Sequence, residues 1–313
     1  MNHQSTVQTY VALVVSVLIF GCTKPSGSVP GTPIYGNESA FRKSVPQYTF
    51  AVHPLHNSQY FFEVYQPLIS YINKHTDEFT LRLEASKDYA QFENKLNDRI
   101  VEFAVPNPYQ SVLSIEHGYS IVGKMGDDDR FYGIIVVRKD SRITSVNDLR
   151  NSTISFPSAT ALAAAMMPKY FLQSNGLNIA KDVNCSYVGT QESSIMNVYL
   201  GKTKAGCTWP PPWESFLEAH PEMNDALTVQ WRTEPLINNG LVVRNDVPAR
   251  HTEILTSLLY SMHTNDEGKA ILKKIKLSRY EPIAQKEYVS RVNTFMVKYR
   301  KMFGSLPETG RKK

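Results

Sequence analysis

Ser158-Ala159-Thr160-Ala161 sets two hydroxyls just ahead of an alanine run, Ala163–Ala165. A helix start carries unpaired N–H groups and the positive end of the helix dipole, so hydroxyls there can complete a cradle for a tetrahedral anion. Ser and Thr are favoured as ordinary N-caps anyway, and on the local residues alone the cap is the stronger reading. Gln191-Glu192 opens another helical stretch after Thr190, where Gln191 can donate to a ligand or simply join a cap. Trp209-Pro210-Pro211-Pro212-Trp213-Glu214 predicts an extended, rigid segment with an indole at each end. Two indoles suit a planar or quaternary ligand, or form a rigid wall. His53 and His56 have no third metal ligand at a recognisable spacing. They read as polar residues at the mouth of a cleft, with His53 a ligand contact, and no metal or cofactor is expected. Asp127-Asp128-Asp129 lacks the Gly and distal Glu of a calcium loop and reads as a solvated turn. Nucleophile elbow, phosphate-cradling GxxxxGK[ST] and HExxH are all missing from the sequence, so nothing in it argues for an enzyme.

These groups need elements to hold them. Strand-like runs fall at Tyr48–Val52, Phe79–Leu83, Val101–Val105 and Ile134–Val137, then again at Thr153–Phe156, Val183–Val188, Ala205–Thr208, Leu227–Trp231 and Leu241–Val243. Helical spacing of three and four links Phe61, Val64, Tyr65, Leu68, Ile69 and Ile72, and recurs over Tyr89–Leu96, Ala161–Gln173 and Ser193–Leu200. Pro168 must kink the third of these or mark a new start. Two successive β/α sets, joined by extended segments near 134–139 and 232–244, predict an α/β fold of two lobes with two hinge crossings. Helices from Thr252 onward are expected to return to the first lobe. The boundaries expected are lobe 1 over 46–135 plus 240–313, and lobe 2 over 136–239.

The N-terminal part reads differently. Val11–Phe20 is an apolar run half the length of a membrane span and fits a secretory leader. It ends at Ile19-Phe20-Gly21-Cys22, which resembles a bacterial lipobox, so residues 1–22 are expected to be a signal peptide with Cys22 lipidated. Residues 23–45, rich in Pro and Gly, read as a linker. A periplasmic, membrane-anchored lipoprotein is therefore expected. The remaining Cys185 and Cys207 meet oxidising conditions, and a disulfide and two buried thiols are both open. The net charge of +5 is spread along the chain apart from Arg311, Lys312 and Lys313, which excludes a nucleic-acid stripe.

The order of motifs resembles the phosphate/phosphite/phosphonate-binding components of ABC importers, a branch of the type II periplasmic binding proteins. The resemblance is carried by FAVHP (50–54), EVYQPLISYI (63–72), KDYAQF (87–92), EFAVPNPY (102–109), FYGIIVVRKDSRITSVNDLR (131–150), ISFPSATALAAAMMP (154–168), VGTQESSIMNVYLG (188–201) and EPLINNGLVVRNDV (234–247). It implies an extracytoplasmic solute-binding protein, not an enzyme, that closes two lobes on a small anionic ligand without a cofactor and docks, as a monomer, on a membrane permease. A lipoprotein sensor for a membrane signalling protein would share the fold, as would a periplasmic enzyme on the same scaffold.

The resemblance also places residues. It maps Ser158 and Thr160 onto the family's ligand loop, usually Ser-Thr-Ser-Gly, with the central hydroxyl and the Gly missing here. Gln191-Glu192 stands where the family commonly has His-Glu. Tyr89 and Tyr132 match two cleft tyrosines, and Tyr109 is a further cleft candidate. Glu214 lies near the carboxylate with which relatives bind an amine, while Asn238 and Asn239 stand where a second carboxylate is expected.

Overall fold

The computed structural model describes residues 45–55 and 58–308. The leader with Cys22, the linker through Ser44 and His56 lie outside the described residues.

From Gln47 the chain alternates strand and helix: β1 (Gln47–Val52), α1 (Ser58–Lys74), β2 (Thr80–Glu84), α2 (Tyr89–Asn97), β3 (Phe103–Val105), α3 (Pro108–Ser114) and β4 (Tyr119–Met125). It then crosses to β5 (Ile134–Arg138), β6 (Ser152–Phe156), α4 (Met167–Ser174), β7 (Val183–Tyr187), α5 (Gln191–Tyr199), β8 (Ala205–Thr208), α6 (Pro210–Ala219) and β9 (Leu227–Arg232). It returns through β10 (Gly240–Arg244), α7 (Ala249–Ser261), α8 (Asp266–Ile275), β11 (Tyr280–Glu281) and α9 (Gln285–Phe303).

Two sheets result, ordered β11-β4-β10-β3-β1-β2 and β7-β6-β8-β5-β9. Each mixes parallel strands joined through helices with antiparallel ones contributed by the crossings. The two crossings run side by side. Thr233 N donates to Gly133 O at 2.9 Å, Gly133 N to Thr233 Oγ1 at 2.9 Å, and Leu236 N to Phe131 O at 2.9 Å. Gly133 is required here for close approach, since a Cβ would lie 2.3 Å from Ala163 O and 2.8 Å from the Pro168 ring.

The second sheet is covered on both faces. Ile135, Val137, Ile154 and Phe156 pack under the segment 161–177, and Ile134, Val136, Ile195, Val198 and Phe216 fill the other side. The expected helix over Ala161–Gln173 is interrupted. Leu162–Met166 is a π-helical turn, and α4 starts at Met167 with Pro168 in its first turn. The missing Pro N–H thus falls where a helix leaves its donors unpaired anyway.

The same rule overturns the expected extended triple proline. Pro210, Pro211 and Pro212 form the first turn of α6 after Trp209, with no extended wall. Trp213 is then a helical residue stacked on Phe216 (6.4 Å, 11°), separated from Trp209 by a turn. Cys185 and Cys207 are both free. They sit on β7 and β8, which flank β6, so a strand lies between them and no disulfide forms.

The aspartate turn is less solvated than the sequence suggests. Asp127 accepts from Ser278 N at 2.7 Å. Asp128 is held by Asn238 N at 2.9 Å, by the buried Lys124 ammonium at 2.9 Å and by Arg291 at 2.7 Å. Burial alone would raise the Asp128 carboxyl, but these donors hold it below its usual value. Among the described residues no helix is long and apolar enough to cross a membrane.

Candidate functional site: an inter-lobe cleft

Three local devices bring side chains to the seam between the sheets. Asp88 caps α2 by accepting from Gln91 N at 2.8 Å, which fixes Tyr89 and Glu93 one turn apart on the same face. Asn107 caps α3 in a reciprocal capping box with Gln110. Thr190 caps α5 by accepting from Ser193 N at 3.1 Å, which starts that helix with Gln191 turned inward.

The result is a small cavity lined by His53, Tyr89 and Asn107 from the first sheet's side and by Ala161–Ala164, Gln191 and Trp209 from the second, with Phe131 at the crossing. Its volume is about 10 Å³, room for no more than about one water molecule. No charged side chain lines it. A tetrahedral oxyanion fits only if the lobes part.

Hydrogen bonds cross the seam at two places beside the cavity, apart from the ion pairs Arg130–Glu214 and Lys276–Glu218 that also join the lobes. Gln191 Nε2 donates to Tyr89 Oη at 2.9 Å, and Gln191 Oε1 accepts from Thr208 Oγ1 at 2.8 Å. Nearby, Asn107 Nδ2 donates to Thr160 O at 3.1 Å, and the Thr160 hydroxyl donates to Glu93. Glu93 also accepts from Gln110 Nε2 at 2.9 Å, and Ser158 Oγ lies 3.0 Å from Thr160 Oγ1. Glu93 and Thr160 are only 3% and 1% exposed.

Burial dominates the titration of the lining groups. It lowers His53 to about 4, although the bond to Val105 O opposes this, so the ring is neutral near pH 7. Its Nδ1 lies 3.0 Å from that carbonyl and must carry the proton. Burial also drives the Tyr89 phenol well up, partly offset by the hydrogen bond from Gln191. The Tyr89 hydroxyl therefore keeps its proton.

The remaining expected site residues lie elsewhere. Tyr132 packs with the cluster on the far face of the second sheet, with the Arg232 guanidinium 5.8 Å from its ring centre. Side chains alternate along an extended segment, so its neighbour Phe131 lines the cavity instead, edge-on to Trp209 at 5.2 Å. Tyr109 donates to Pro307 O at 2.6 Å, and burial first, with Glu93 second, pushes its phenol to about 12. Glu214 pairs with Arg130 at 2.5 Å. Glu192 lines a separate recess of about 100 Å³ with Leu55, Tyr60 and His220. Asn239 is buried beside Met125, Nδ2 to Sδ 3.4 Å, and its Oδ1 has no partner.

Asn107, Phe131 and Glu93 were missed from the sequence. Asn107 had a readable signal in Asn-Pro followed by Gln110, the spacing of a capping box at a strand end.

Comparisons with known proteins agree with this architecture. A crystal structure of a binding component of an ABC phosphonate transporter from Pseudomonas aeruginosa superposes with a TM-score of 0.74 at 16% identity, covering 82% of this chain and 88% of that one. A methylphosphonate-bound protein from Prochlorococcus marinus (MIT 9301) gives 0.70 at 18% identity, covering 80% and 98%. In sequence, a probable ABC-transporter phosphite-binding protein of Prochlorococcus marinus is 25% identical over 181 residues, 54% of this chain. The chain spans 61% of the length of that curated relative. The fold is the two-lobe α/β architecture of type II periplasmic binding proteins. The profile of the family described as "ABC transporter, phosphonate, periplasmic substrate-binding protein" matches residues 50–288, and the chain belongs to that family.

Proposed function

We propose that this protein captures a small phosphorus-containing oxyanion outside the cytoplasm and presents it to the membrane permease of an ABC importer. The observation that carries the reading is the cleft itself. Uncharged polar groups from both lobes, Tyr89, His53 and Asn107 on one side and Gln191 on the other, converge on one cavity with Trp209 as its apolar wall. Such a site orients one small ligand and needs no cofactor. Ser158 and Thr160 supply the hydroxyl-bearing loop at its edge. In the relative from Prochlorococcus marinus the bound molecule is methylphosphonate, and the reading extends that class of ligand to this chain. Hinge closure about the paired crossings at Gly133 and Thr233 would commit the ligand. A lipid on Cys22 would hold the protein, a monomer, close to the permease.

A thermal-shift screen against phosphate, phosphite, methylphosphonate, aminoethylphosphonate and sulfate tests this. A true ligand at 100 times its Kd stabilises the protein by about 2.7 kcal/mol. If no phosphorus oxyanion moves the melting midpoint, the reading fails.

A further inference from the structure

Two ion pairs join the lobes, and both end on α6. Glu214 meets the Arg130 guanidinium at 2.5 Å, and Glu218 meets the Lys276 ammonium. The acids stand four residues apart in the helix, so they project from one side of it, one turn after the other. Their partners share one braced patch of the first lobe. Arg130 ends the aspartate turn, and Asp127 in that turn accepts from Ser278 N at 2.7 Å, just beyond Lys276 at the end of α8. Glu214 and Glu218 travel with the second lobe, while Arg130 and Lys276 stay with the first.

The neighbouring contact of α6 is loose. The recess of about 100 Å³ separates it from Leu55 and Tyr60 of the first lobe. Ser215, on the recess wall, is 3% exposed, and its hydroxyl has no hydrogen-bond partner among the described residues. A permanent contact fills such a gap and pairs such a hydroxyl, because an empty recess forfeits dispersion contacts and an unpaired buried polar group costs free energy. This one does neither. The directed attraction along this part of the seam is charge at the rim. The Glu214 and Glu218 side chains are 40% and 59% exposed, and pairs so exposed are individually weak and sensitive to salt.

We propose that Glu214 and Glu218 make α6 an electrostatic clasp, which favours the closed arrangement of the lobes by an amount that ionic strength sets. Parting the lobes carries α6 away from Arg130 and Lys276 and breaks both pairs, and closing remakes them. Because each pair is weak, the clasp biases closure without locking it. It requires two lobes that part, and no particular ligand.

Pulsed electron paramagnetic resonance on the full chain tests the proposal, with spin labels on noncanonical residues at two exposed positions, Ile100 in the first lobe and Leu200 in the second. Raising sodium chloride from about 10 mM to about 1 M shortens the reach of charge from about 30 Å to about 3 Å. Over that range the ratio of long to short separations in the unmodified protein is expected to rise on the order of 5-fold, the combined effect of two exposed pairs. Glu214→Gln with Glu218→Gln should show the raised ratio already at low salt, with little further change. Glu218→Lys alone should raise it as well. Adding Lys276→Glu to that variant should return the ratio to within about twofold of the unmodified protein, a rescue that misfolding cannot imitate. A separation that ignores salt in the unmodified protein overturns the proposal. So does an unchanged low-salt ratio in the folded Glu214→Gln, Glu218→Gln variant, and so does a charge swap that restores nothing. No reading here uses a ligand, so oxyanion capture stands or falls separately, by the thermal-shift screen.

Discussion

Tyr89 and Glu93 stand one turn apart on the same face of α2, and both reach across to the second lobe. They meet it in opposite senses. Tyr89 accepts from a neutral amide and keeps its own proton, whereas Glu93 draws in the hydroxyl of Thr160 and, through it, that of Ser158. One helix face thus provides a source of hydrogens and a sink for them. The lesson is that a cleft without Lys or Arg on its wall can still be polar in a directed way. Orientation of neutral donors does the work that net charge does elsewhere, and it does so at close range, where screening by salt has little hold.

Four measurements would break or sharpen this contrast, taken from the largest expected effect downward. Gln191→Ala removes the centre of the chain from Thr208 to Tyr89 and leaves both hydroxyls unpartnered; affinity should fall about 100-fold, corresponding to about 3 kcal/mol. A loss smaller than about threefold by titration calorimetry would mean the Tyr89 side of this contrast is misassigned. His53 gives a pH signature next. Its folded value near 4 lies below the usual 6.5, so the unfolded chain binds more protons between these values and stability falls as pH drops through that window. Between pH 7 and pH 5 the loss should be about 2 kcal/mol in urea unfolding, and His53→Phe should flatten it. Tyr89→Phe keeps the ring and removes only the hydroxyl, for about a 10-fold loss. Last, Tyr132→Phe should leave affinity unchanged within about twofold, because its ring packs on the far face beside Arg232; a large loss there would move the cleft.

Most of the architecture was legible because alternating periods of two and 3.6 mark β/α units plainly. The strand β4 escaped because Tyr119–Met125 contains Gly123 and Lys124, which interrupt the apolar alternation; Lys124 is buried only by virtue of Asp128 and Glu281, at 2.9 and 2.7 Å. The triple proline misled because proline fixes φ at a value shared by extended chain and helix start; only the position relative to β8 decides between them. In the site, the resemblance drew attention to Tyr132, and a one-residue alternation gave the wall to Phe131. Glu93 was invisible for another reason. A lone Glu on an amphipathic helix is normally on the solvated side, and nothing local reveals that a hydroxyl from 67 residues onward arrives to bury it.

The start of α6 has a consequence for anion contact. A helix ordinarily opens with several unpartnered amide hydrogens, an invitation to any passing anion. At Pro210, Pro211 and Pro212 those hydrogens do not exist. The turn beside Trp209 therefore has three fewer donors to offer phosphate, sulfate or carboxylate alike. Replacing a single proline there by serine would give one of those donors back, in a change that adds no charge at all.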